Sequence, residues 1–202
     1  MRTLTSILGT ILLAGVMLLM AAPAFSQQKE LSDAQYIKQA LSAAPPAVAA
    51  HATVVRMDKD GKMRTLRKGT DGFTCMILGA DRMCNDANAM EFFSAVMNHT
   101  APPEGLGISY MLAGDHGASN TDPYAKGNNH SASNAHSHAT GKTANNHWIV
   151  TGPHLMIVGA AAKGLGYTRA ADPDPSKPYM MWAGTPYEHA MVPVGPPSAS
   201  KP

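Results

Sequence analysis

The chain has 202 residues, 45% of them hydrophobic, and carries 16 Lys and Arg against 14 Asp and Glu. So even a balance gives no ground for a nucleic acid or an anionic membrane as partner, and neither is expected. The length suits one domain behind a short leader.

Residues 1 to 26 have the pattern of a cleavable secretory signal peptide. Arg2 precedes an uncharged apolar run through Ile7, Ile11, Leu12, Leu13, Val16, Leu18 and Leu19, closed by small residues at Ala22-Pro-Ala24 and Ala24-Phe-Ser26. Losing Arg2 with the leader leaves 15 basic and 14 acidic side chains on residues 27–202, expected to be one periplasmic or secreted domain with no stable membrane insertion. Cys75 and Cys84 are the two cysteines. In an oxidising compartment their pairing is the default. Closing so short a loop contributes about 2.5–3 kcal/mol in the chain-entropy account.

A helix is expected after Ser32, where Ser32 and Gln35 make a capping box and Leu31 faces Tyr36. Ile37, Leu41 and Ala44 continue its apolar face, and Pro45-Pro46 ends it. A hairpin follows, with strands over 52–57 and 63–67 and a turn at Asp58-Lys-Asp-Gly61. That turn is no calcium loop: placing Gly61 at the loop's sixth position puts Arg56 at the first and Arg67 at the twelfth, where acidic ligands are needed.

Residues 73–78 give a third strand, and Asn85-Asp86 caps a helix that turns Met90, Phe93, Val96 and Met97 to the core until Pro102-Pro103. Another strand covers 107–113. From 127 to 147 no aliphatic residue larger than alanine occurs, and such a His/Asn/Ser-rich tract reads as a flexible insertion. Its His130, His136, His138 and His147 make at most a loose chelate. Extended segments then follow at 148–150, 154–158, 179–182 and 188–192. Strands and helices do not alternate regularly, so the expected fold is α+β: a mostly antiparallel sheet with two short helices packed on one face.

Two of the late strands repeat a pattern, His154-Leu-Met156 and His189-Ala-Met191. Strand side chains repeat every two residues, so each His shares a face with its Met. Thioether with imidazole suits a soft metal of the copper type, and were these strands neighbours the four side chains could converge. The plain alternative is a packed core, in which Met is a common filler. Trp182 and Tyr187, with His154 and His189, are candidates for the aromatic rim of a small-ligand pocket. Asp115 and His116, in the turn Gly114-Asp-His-Gly117 at a strand end, are candidates for ligand binding or for a hydrolase. In that reading one of them is the base or orients a strand histidine, with Ser109, Ser119 or Thr121 as nucleophile.

Several segments together resemble a family of uncharacterised exported bacterial proteins. They are 67–76, Gly107-Ile-Ser-Tyr-Met-Leu112, Ser119-Asn-Thr-Asp-Pro-Tyr124, Thr151-Gly-Pro-His-Leu-Met-Ile157 and Tyr179-Met-Met-Trp-Ala-Gly-Thr-Pro-Tyr-Glu-His189. The likeness spans most of the exported part apart from the His-rich tract, which it makes an insertion. It implies a bacterial envelope location and supplies no activity, cofactor or site. The sequence thus leaves three readings: a small-ligand or soft-metal binding protein, a hydrolase using Asp115 and His116, and a structural or interaction protein of the envelope.

Overall fold

The computed structural model describes residues 30–58, 60–125 and 145–196. The proposed leader, and the His-rich tract apart from residues 145–147, lie outside them.

Eight strands form one mixed, mostly antiparallel sheet: β1 Thr53–Met57, β2 Met63–Arg67, β3 Thr74–Leu78, β4 Asp81–Asn85, β5 Gly107–Met111, β8 His154–Val158, β9 Tyr179–Met181 and β10 His189–Pro193. Their order across the sheet is β2-β1-β3-β4-β5-β8-β10-β9, and β1 with β3 is its parallel pair. A separate two-stranded ladder joins β6 Ala118–Ser119 to β7 Trp148–Ile149. The helices are short: α1 Asp33–Leu41, α2 Pro46–Ala49 and α3 Ala87–Asn98, with a 3-10 segment over Ala160–Leu165.

Local chemistry accounts for these elements. Ser32 caps α1, with its hydroxyl accepting from the Gln35 amide while the Gln35 side chain returns to the Ser32 amide. α1 stops at Leu41, short of the proline pair, because Pro46 instead begins α2, at the position where a missing N–H costs nothing. The Asp86 carboxylate caps α3 through the Ala89 amide at 2.8 Å and also accepts from the Ile108 amide at 2.8 Å, tying the helix start to β5. Gly107 permits that closeness: a Cβ there would stand 2.5 Å from the Ala89 nitrogen.

The two main helices do not share a face of the sheet. Tyr36 and Ala40 of α1 are buried with Val54, Cys75 and Cys84, whereas Phe92, Phe93 and Val96 of α3 are buried with Met76, Leu78, Met83, Met111, Met156 and Met191. Since neighbouring residues on a strand point to opposite sides, Cys75 and Met76 mark opposite faces. The expected single helical layer is therefore corrected to one helix on each side. Strands buried on both faces need cover on both, and the chain supplies it.

Cys75 and Cys84 are directly opposite in the β3–β4 pairing and form the expected disulfide. Tyr36 holds the same strand from the α1 side, accepting from the Ile77 amide at 2.9 Å. No helix among the described residues is long and apolar enough to cross a membrane.

Candidate functional site

Two turns build a site at one end of the sheet. Gly79, at φ +61°, makes the tight connection between β3 and β4 and delivers Asp81 to the start of β4, where it is 1% exposed. After β5 the chain turns at Gly114, whose amide donates to the Met111 carbonyl at 2.9 Å. Asp115 then docks on the segment leading into β8: its amide donates to the Thr151 carbonyl at 3.0 Å, and its Oδ1 accepts from the Thr151 amide at 2.9 Å and the Gly117 amide at 3.0 Å. Gly117, at φ +96°, is required because a Cβ there would meet the Trp148 indole nitrogen at 2.1 Å.

This places His116 over Asp81. The His116 amide donates to Asp81 Oδ1 at 3.0 Å, and ring Nδ1 lies 2.8 Å from the same oxygen. The imidazole is 62% exposed while the carboxylate beneath is buried. A buried carboxylate fixing one ring nitrogen of a solvent-facing histidine sets its orientation and leaves the other nitrogen toward water.

The electrostatics follow from that arrangement. Asp115 is pushed up to about 7, mainly by burial and then by the charge of Asp81, against the pull of the Thr151 and Gly117 amides. The Asp81 hydrogen bond holds His116 above its ordinary value. From Asp115 a chain of contacts continues inward: Thr151 Oγ1 is 2.7 Å from the hydroxyl of Tyr179, which burial raises above its normal range. A surface imidazole, two acidic groups and a buried phenol thus lie in one connected neighbourhood.

The other sequence-derived candidates sit elsewhere. β8 and β10 are neighbours, and Met156 pairs directly with Met191. His154 instead faces Pro193, four residues from His189 along β10, which separates the two histidines by about 13 Å in the strand direction. Each imidazole is fully buried and engages, through Nδ1, the carbonyl two residues earlier: Gly152 for His154 at 2.7 Å and Tyr187 for His189 at 2.9 Å. The strands bring the methionines together and set the histidines at opposite ends of that pair. Among the described residues no three His, Cys, Asp or Glu side chains are grouped to hold a metal ion.

Trp182 and Tyr187 form no exposed rim. Trp182 is fully buried, its indole N–H donating to the Ser119 carbonyl at 3.0 Å and its ring 4.8 Å from that of His189. Tyr187 is buried against Phe92, with its hydroxyl donating to the Thr100 carbonyl at 2.9 Å. Among the suggested nucleophiles, Ser109 is fully buried facing Met156, and the Ser119 hydroxyl accepts from the Thr121 and Asp122 amides. Among the described residues no hydroxyl is hydrogen-bonded to His116. His147 pairs with Asp172 at 3.0 Å.

Asp81, Thr151 and Tyr179 are the members of the site that sequence reasoning missed. The signal for Asp81 was Gly79-Ala80 followed by five residues ending near Cys84, which a disulfide to Cys75 would have turned into a hairpin. Comparison with protein-family models, with curated proteins and with solved structures gives no match.

Proposed function

We propose that the Asp81–His116–Asp115 cluster is an acid–base site and that the protein hydrolyses a small substrate outside the cytoplasm. The observation that carries this reading is the 2.8 Å contact between the exposed imidazole of His116 and the buried carboxylate of Asp81. The disulfide supports an oxidising compartment.

In the proposed reaction His116 is the general base, taking a proton from water through its solvent-facing nitrogen as the water oxygen attacks the substrate's acyl carbon. Asp115, raised to about 7 and so protonated in about half of the molecules at neutral pH, gives that proton to the leaving oxygen or nitrogen as the bond to the acyl carbon breaks. The carboxylate of Asp115 is reprotonated from His116 and both groups return to their starting states. Asp81 acts through His116 as a positioning residue. Water serves as nucleophile, so the absence of a hydroxyl on His116 is no obstacle.

The test is hydrolysis of p-nitrophenyl acetate by the purified protein. p-Nitrophenolate departs from this substrate without the Asp115 proton, so turnover is expected to rise with pH as His116 loses its proton, and Asp81→Asn, which removes the charge that favours the imidazolium, is expected to move that rise to lower pH. A rate no higher than that of His116→Ala overturns the reading.

A further inference from the structure

Three neighbouring strands leave an apolar face that the proposed reaction does not use. Successive residues of β5, β8 and β10 point to opposite sides of the sheet, and Gly107, where a Cβ would stand 2.5 Å from the Ala89 nitrogen of α3, marks the α3 side. Ile108 and Tyr110 therefore take the other side, where Tyr110 stands opposite Cys84 and packs with the α1 core. The same register sets Ile157 opposite Ile108, Leu155 opposite Tyr110 and Val192 opposite Leu155. Ile108, Leu155, Ile157 and Val192 are partly exposed, and none of the four is part of either core. Leu106, just before β5, and Val194, just after β10, continue the alternation at the two ends of the face and are 48% and 52% exposed.

The chemistry of this face narrows what covers it. β5, β8 and β10 carry no Lys, Arg, Asp or Glu, and each is hydrogen-bonded to a strand on both sides. It offers neither a charged partner surface nor a strand edge for an extended peptide. Three strands wide and six residues long, the face measures roughly 14 by 20 Å, or about 280 Å². A stable dimer buries about 800 Å² per partner, so the face is too small for a second copy and suits a hydrocarbon chain. A cation stands at its border. Arg82, two residues before Cys84, shares the α1 side of β4, and its guanidinium meets Gln39 Oε1 at 3.3 Å and Ser42 Oγ at 3.5 Å, both neutral groups. Ser42 adjoins Ala43, whose carbonyl accepts from the Leu112 amide at 2.9 Å, so the end of α1 brings Arg82 to the β5 border of the face. Two long contacts leave most of its five N–H donors for an anionic head.

We propose that the α1-side face of β5, β8 and β10 binds a long-chain carboxylate, with the hydrocarbon chain on Leu155, Ile157 and Val192 and the carboxylate at Arg82. Removing apolar surface from water supplies the affinity, and the guanidinium selects the sign of the head. Asp81 points to the opposite side of β4 from Arg82, so this site is separate from the acid–base cluster and stands or falls independently of the hydrolysis.

The test is NMR of the protein 13C-labelled at its Ile, Leu and Val methyl groups. It is titrated with sodium dodecanoate and, separately, with dodecyltrimethylammonium chloride, which has the same chain and the opposite charge, each below its micelle concentration. Dodecanoate is expected to give saturable shifts at Leu155, Ile157 and Val192, and the cationic amphiphile to bind at least about tenfold more weakly. Arg82→Gln is expected to weaken dodecanoate binding about tenfold, the loss typical of a charge-assisted hydrogen bond. Leu155→Glu, which sets a charge in the middle of the face at a partly exposed position, is expected to abolish binding. No saturable shift at these methyl groups, equal affinity for the two amphiphiles, or the same dodecanoate affinity in Arg82→Gln with its fold intact by circular dichroism overturns the proposal. A dimer in light scattering that Leu155→Glu converts to monomers also overturns it, because a second copy then covers the face.

Discussion

The turn over residues 114–117 and the β8–β10 strand pair both present histidines, and they treat them in opposite ways. His154 and His189 are shut in the core, each satisfied at Nδ1 by a main-chain carbonyl, with His189 further enclosed by Phe92 and Trp182. His116 stands in water with its ring nitrogen on a buried carboxylate. The first arrangement fixes a tautomer and fills space. The second lets an oriented imidazole exchange protons with solvent, which is what acid–base chemistry requires. A regular repeat at strand spacing therefore marked packing, and an irregular glycine-bounded turn marked the place where chemistry is feasible.

Four measurements break or sharpen that contrast. The largest effect is expected at the turn: His116→Ala should lower p-nitrophenyl acetate hydrolysis by about 10²–10⁴-fold, the usual contribution of a general base. His116→Gln, measured beside it, should be equally inactive with an unchanged circular dichroism spectrum. In the strand pair the cost should appear in stability instead, since Met191 is 1% exposed between Met156 and Tyr179. Met191→Ala should lose about 2–5 kcal/mol in urea unfolding. A loss under about 1 kcal/mol would show a loosely packed strand pair. Copper should leave the melting temperature unchanged there, and a shift abolished by His154→Ala with His189→Ala would overturn the packing account.

The last measurement concerns pH. Asp115 ionises near 7 in the folded chain against an ordinary value of 3.8, so folding favours its protonated form. Its stabilising contribution is complete below pH 3.8 and is lost as pH rises through about 7. His116, also raised, adds a loss in the same direction above its ordinary value of 6.5. Asp115→Asn keeps an acceptor for the Thr151 and Gly117 amides and cannot ionise. It should therefore gain about 3–4 kcal/mol on the parent chain between pH 4 and pH 8, read from chemical denaturation at both values.

Much of this fold was legible because local signals agreed with the final structure. The Ser32 capping box, the Asp58–Gly61 turn and the His154–Val158 strand are decided within a few residues, and each stands where the sequence puts it. β4 was not legible. Its residues Asp81-Arg-Met-Cys-Asn85 carry two charged or polar ends and only a short apolar middle, and the strand is buried because β3 and β5 flank it. The side taken by each helix was likewise hidden, since it depends on which alternate residues of β3 and β4 each helix covers. Asp115 and His116 could be singled out from their turn, but Asp81, 34 residues before Asp115, reaches them only through the sheet.

The crosslink has a mechanical consequence for the site. Cys75 and Cys84 occupy facing rungs of the β3–β4 hairpin. Sliding one strand past the other by a single residue would send Met76 and Leu78 to the wrong side and carry Asp81 away from His116. With the sulfurs joined that slip is barred, so oxidation fixes where the Asp81 carboxylate stands beneath the imidazole.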